Sequence, residues 1–125
     1  MTVDHFYMEP FVYFGEKMNR TEEVNEKTLL DKILFTYGSG LGDGSTHQYC
    51  VLPILMAGSG GGRFINGKHL NVSAKSGLVK KFNGTYKTPD GGEPLLILWL
   101  TQAKAMGLKI DRFADSTRSI SSLLV

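Results

Sequence analysis

The stretch TYGSGLGDGSTHQYCVLPILMAGSGGG, residues 36–62, sets glycine-rich loops on both sides of one short apolar run. Glycine lets a backbone turn sharply but adds nothing to a core, so this segment predicts strands ending in tight turns rather than a long helix. ILFTY, 33–37, is β-branched and aromatic and ends in a Gly/Ser cluster; VLPILMA, 51–57, is a second run of the same kind. Both read as buried strands. Pro53 lacks a ladder donor, so the second strand either lies at an edge or begins regular pairing after the proline. The intervening GSGLGDGSTHQY is too long for a two-residue hairpin and carries Asp43 and His47. Long loops at strand ends are where sites tend to lie.

Either side of this unit the periodicity is helical. Phe6, Tyr7, Phe11, Phe14 and Met18 recur at helical spacing, with Glu9, Glu16 and Lys17 between them, which predicts an amphipathic helix over 6–18. Pro10 fits such a helix in its first turn or as a kink. A short helical turn follows near 26–31. GRFINGKHLNV, 62–72, reads as a hairpin, because Asn66-Gly67 supplies turn residues that tolerate positive φ. Residues 73–92 are polar and glycine-bearing and read as a loop. A helix is predicted from Glu93-Pro94 through LLILWLTQAKAM to a stop at Gly107, with Leu95, Leu98, Trp99 and Met106 able to share one face. Asp115 or Ser116 offers one more cap in the tail.

A length of 125 residues suits a single domain with a modest core. With 42% hydrophobic and 21% charged residues, the composition is that of an ordinary globular chain. A formal charge of +2, from 14 basic and 12 acidic residues, gives little long-range field, so neither nucleic acid nor an anionic membrane is implied. The longest apolar run, LLILWL, is far shorter than the roughly 20 residues a membrane span needs. MTVDHFYMEP carries no signal-peptide pattern. The single cysteine, Cys50, excludes an internal disulfide, and its apolar neighbours suggest a small buried filler.

The glycine loops do not make a dinucleotide fingerprint. Counting from Gly38 the sixth position is Asp43, and from Gly58 it is Arg63, where a glycine is needed. GRFINGKH follows the phosphate-loop spacing until His69 replaces the hydroxyl residue that would hold magnesium, and NVSAKSG is a poor helix start behind it. There is no G-x-S-x-G elbow, and the apolar run beside Cys50 is not the setting of a catalytic thiol. Asp43 and His47 stand as a carboxylate and an imidazole suited to a divalent metal, but two ligands fall short of the three or four a zinc centre takes. The other reading of the pair is structural: Asp43 caps a turn and His47 is a surface or hydrogen-bonded histidine.

From about Phe11 to the C-terminus, the ordered motifs resemble a family. LLDKILFTYGSGLGDGSTHQYCVLPILMAGSGGGRFINGKHL is similar to the C-terminal part of the HXXSHH-motif family, exported bacterial proteins of unknown function, and EPLLILWLTQAKAMGLKIDRFADST is similar to their last helix and closing segment. The resemblance implies a partial alkaline-phosphatase-like α/β sandwich: about three or four strands, an N-terminal helix and a helix near 93–106. It implies that 1–125 is one domain, the C-terminal third of a larger one. In the sulfatase-like analogy, Asp43 and His47 lie where metal ligands are sought. They would serve a zinc, calcium or magnesium centre hydrolysing a small-molecule ester, completed by upstream residues and inactive in this fragment. Export or a cell-surface location for the parent, and self-association through an exposed sheet edge, follow from the same likeness. The other function it allows is a non-catalytic binding or scaffold module. The departures are the absent H-x-x-S-H-H segment, Tyr49 in place of a second loop histidine, and Ala114 and Arg118 in place of glycines.

Overall fold

The computed structural model describes residues 3–24, 26–44, 47, 49–72, 81–82, 85–86 and 92–125. Helix α1 (Val3–Arg20) runs straight through the predicted 6–18 segment and past Pro10. The proline cannot donate to the carbonyl of Phe6, one turn back, and both residues lie on an exposed face where water can serve that oxygen. The opposite face, Met8, Phe11, Gly15 and Met18, is half-buried. Phe11 and Phe14 set their rings against Phe35, with centroids 4.8 and 5.2 Å apart, and Phe11 also meets Tyr37.

A tight turn follows α1, closed by Leu29 N–H to the Thr21 carbonyl at 2.8 Å and Glu23 N–H to the Lys27 carbonyl at 2.9 Å. It delivers the single-turn helix α2 (Leu29–Lys32). Thr28 and Asp31 form a reciprocal cap: the Asp31 N–H donates to the Thr28 hydroxyl, and the Thr28 N–H and hydroxyl both donate to Asp31 Oδ2 at 2.9 Å. So short a helix does not persist on propensity alone.

Strands β1 (Phe35–Gly38) and β2 (Ile54–Ala57) pair antiparallel, with Phe35 opposite Ala57 and Gly38 opposite Ile54. Both are shorter than predicted. Ile33 is taken by the end of α2, its N–H bonded to Leu29, and β2 pairs only after Pro53, the second of the two expectations for that strand. β3 (Lys81–Phe82) and β4 (Thr85–Tyr86) make a separate antiparallel pair inside the segment read as a loop. The other residues of that loop, 73–80, 83–84 and 87–91, lie outside the described residues.

Helix α3 (Leu95–Ala105) begins one residue later than predicted, with Pro94 at the cap. Its buried side is Ile97, Leu100, Thr101 and Ala105, not the face of Leu95, Leu98, Trp99 and Met106; Met106 is 49% exposed. LLILWL is apolar around its whole circumference, so no period selects a side and the contacts decide. Ala105 packs with Phe64 and Leu123, and the half-buried Leu34, Met56, Ile120, Leu124 and, from the predicted face, Leu98 close on that cluster. Buried Thr101 donates to the Ile97 carbonyl and accepts the Ile120 N–H at 2.8 Å; Gln102 donates to the Thr36 hydroxyl at 2.7 Å, tying α3 to β1.

The hairpin predicted over 62–72 does not form. Phe64 instead bridges Leu124, with Ile65 N–H to the Leu123 carbonyl at 2.9 Å and Val125 N–H to the Arg63 carbonyl at 3.1 Å. The cap predicted at Asp115 or Ser116 is likewise a turn, in which Ser116 and Phe113 exchange backbone hydrogen bonds. The only helical turn of the tail is a 3-10 segment (Ser121–Leu123). Among the described residues, then, the protein is mixed α/β with antiparallel two-stranded sheets, and no helix is long and apolar enough to cross a membrane.

The α2 cap has a pH signature. The Thr28 backbone N–H first, then its hydroxyl, holds the Asp31 carboxyl below its ordinary 3.8; Lys27 adds to this and desolvation opposes it. A carboxyl lowered on folding contributes its stability above 3.8 and loses it as pH falls through the folded value. Asp31→Asn is therefore expected to be less stable than wild type near neutrality, with the gap closing on acidification. Urea unfolding across that pH range checks it.

Candidate functional site

The β1–β2 connection, 39–53, carries both residues singled out as metal ligands, and Gly38 opposite Ile54 closes its base. Ser39 N–H donates to the Pro53 carbonyl, and the Ser39 hydroxyl and Leu41 fold the first arm into a turn. Gly42 approaches the Cys50 carbonyl so closely that a Cβ would overlap it, so the two arms press together there. Half-buried Asp43 follows directly, and exposed His47 comes four residues later in the same connection. Acid and imidazole therefore share one loop at one end of the sheet.

The backbone of this loop is under strain. His47 has φ 54° and Val51 has φ 56°. Histidine is tolerated in the left-handed region, but a β-branched residue there is a genuine outlier, at a cost of roughly 1–3 kcal/mol. Nothing in the sequence marks Val51, where the β-branched run predicts the first residue of a strand. Tyr49, between them, is 79% exposed. Cys50 is half-buried rather than the buried filler expected.

The remaining histidines lie elsewhere: His5 pairs with Glu9 on α1 at 3.5 Å, and His69 is exposed after Gly67. Among the described residues no three His, Cys, Asp or Glu side chains come together as a metal-binding group. Asp43 and His47 thus offer at most two ligands, short of the three or four of a complete centre.

The second glycine loop, 58–62, is a clasp. Its amides donate to the carbonyls that end α2: Ser59 N–H to Leu30, Gly60 N–H to Ile33 at 3.1 Å and Gly61 N–H to Asp31 at 2.7 Å. The Ser59 hydroxyl donates to the Asp31 carbonyl as well, and the Ser59 carbonyl accepts from Gly62, Arg63 and Phe64. Those donors are spent on protein oxygens, whereas a phosphate cradle points them at the ligand. Gly58 is essential to the approach. At φ 97° its Cβ position would overlap the Ile33 carbonyl and lie 3.1 Å from the Leu30 oxygen.

Two hollows flank the core. One, of about 390 Å³, lies among Leu30, Asp31, Met56, Ser59 and Asn66; the other, of about 270 Å³, lies among Val72, Glu93, Ile97, Arg118 and Ser121. The Arg118 guanidinium spans the second, donating to both Glu93 oxygens at 3.2 and 2.9 Å. Neither hollow is lined by Asp43 or His47. No family model, curated protein or solved structure matches the chain.

Two stability measurements test this geometry. Gly58→Ala combines a disfavoured φ with a collision against fixed backbone and is expected to cost about 3 kcal/mol. Val51→Gly relieves the left-handed strain and loses little packing. It is expected to stabilise by about 1 kcal/mol, net of glycine's greater freedom in the unfolded chain. Denaturant unfolding of each against wild type reads both.

Proposed function

We propose that this chain is the C-terminal part of an alkaline-phosphatase- and sulfatase-like exported protein. In it, Asp43 and His47 contribute ligands to a divalent-metal hydrolase site completed by polypeptide outside these residues. The observation that carries the proposal is one loop bearing both groups, with its backbone held in the left-handed region at His47 and Val51. Such strain persists where surrounding structure over-determines it, and it concentrates at functional sites.

The state of the core supports a larger sandwich. Among the described residues, the buried apolar side chains are Phe64, Ile97, Leu100, Ala105 and Leu123, a small core that a wider sandwich would enlarge. Among the described residues, β1 and β2 pair only with each other, so each has an outer edge on which a wider sheet would add strands. The motifs shared with the HXXSHH family supply the rest of the argument. A carboxylate and a neutral imidazole would hold the metal. The metal would polarise an ester oxygen or activate water, and this chain's part is to position its two ligands.

The second reading is a non-catalytic binding module at the cell surface. Tyr49 favours it, being 79% exposed in this loop where the resembled family carries another histidine. Aromatic side chains projecting from loops are good contact residues.

Zinc titration calorimetry on wild type, Asp43→Asn and His47→Ala separates the two. Metal ligation predicts weak binding by the wild type and a loss of that binding in both variants. Equal heats in all three, or no binding in any, would end the hydrolase reading and leave the binding module.

A further inference from the structure

Asn66 and Gly67 lie between two tethers to the C-terminal segment. On one side the Ile65 N–H donates to the Leu123 carbonyl at 2.9 Å; on the other the Lys68 ammonium donates to the Ser122 carbonyl at 2.6 Å. Asn66 and Gly67 themselves are exposed, and neither makes a hydrogen bond or ion pair among the described residues. No atom stands within 4 Å of where a Gly67 side chain would begin. An asparagine amide thus sits beside a backbone nitrogen that is uncrowded, solvent-facing and not committed to any carbonyl.

We infer that Asn66 is a site of backbone-assisted deamidation in the folded protein. The Gly67 nitrogen attacks Cγ of Asn66. The N–Cγ bond forms, the Cγ–Nδ2 bond breaks, and Nδ2 departs as ammonia with the Gly67 amide proton, leaving a five-membered imide. Solvent water then adds to one of the two imide carbonyls, giving aspartate or isoaspartate. No electrons are transferred, and the net change is one water taken up for one ammonia released. Glycine matters because a side chain on the next residue would hinder the attack.

The other described asparagines are placed differently. Asn19 lies within α1, where the nitrogen of Arg20 faces into a helical turn, and Asn71 precedes the β-branched Val72. Asn25 and Asn83 lie outside the described residues. The product changes its surroundings in two ways. A new carboxylate faces the hollow that Asp31 also lines, and isoaspartate inserts a methylene into the main chain between the two tethers. The pairing of 63–65 with 123–125 should loosen as a result.

The whole chain can be aged in mildly alkaline buffer, native and in denaturant, then cut with trypsin. Cleavage after Arg63 and Lys68 isolates 64–68, and His69–Lys75 carries Asn71 as an internal reference. The expected result is deamidation of 64–68 more than an order of magnitude faster than of 69–75, with a native rate within an order of magnitude of the denatured one. Hydrogen exchange at Ile65 and Val125 should quicken in the aged fraction. Conversion as slow as that of Asn71, or protection of Asn66 by more than an order of magnitude on folding, would overturn the inference.

Discussion

The contact on which most of the molecule depends is the seating of the 58–62 backbone on the end of α2. A one-turn helix has nearly all its carbonyls unpaired, and buried carbonyls without partners are costly. Here the carbonyls of Leu30, Asp31 and Ile33 accept from the amides of Ser59, Gly61 and Gly60 respectively, while Thr28 and Asp31 close the other end. Because Gly58 follows β2 directly and leads into this clasp, the clasp also fixes where β2 ends relative to β1. It turns the chain so that Phe64 enters the core beside Ala105 and Leu123. Helix end, sheet register and core position are therefore coupled through a few backbone hydrogen bonds.

The existence of elements was legible wherever a local rule operated. Apolar spacing marked α1, and Pro94 with Gly107 marked the ends of α3. Pro53 marked where β2 could begin to pair. What was not legible was decided by residues distant in sequence. LLILWL presents apolar side chains in every direction, so its buried face was chosen by Phe64 and Leu123, not by its own pattern. Asn66-Gly67 has good hairpin chemistry, yet Phe64 gains more by burying itself against the C-terminal segment than by pairing with Leu70 or Val72, which remain exposed. Local turn preference lost to non-local burial.

The candidate site divides the same way. That Asp43 and His47 share one connection could be read directly, since they lie between two predicted strands. The left-handed backbone at Val51 could not, because a β-branched residue is the last type that propensity assigns there. Only the closure of the loop, with Gly42 against the Cys50 carbonyl and Ser39 against Pro53, shows why the chain must reverse at that point.

Where strain sits in a loop bears on what shaped it. The base of the 39–53 connection is relaxed: it continues an antiparallel ladder, and its first arm is a hydroxyl-capped turn. The outliers occur further along, at His47 and at Val51, flanking exposed Tyr49. A connection that merely joined β1 to β2 could place glycine at these positions, as it does at 38, 40, 42 and 44. Retaining histidine and valine where glycine is freely used nearby means that the side chains, or the path they impose, are worth more than the relief of strain. That reasoning applies equally to the metal-ligand and the binding-module proposals for this loop, and it separates the loop from the two hollows beside the core, which neither Asp43 nor His47 lines.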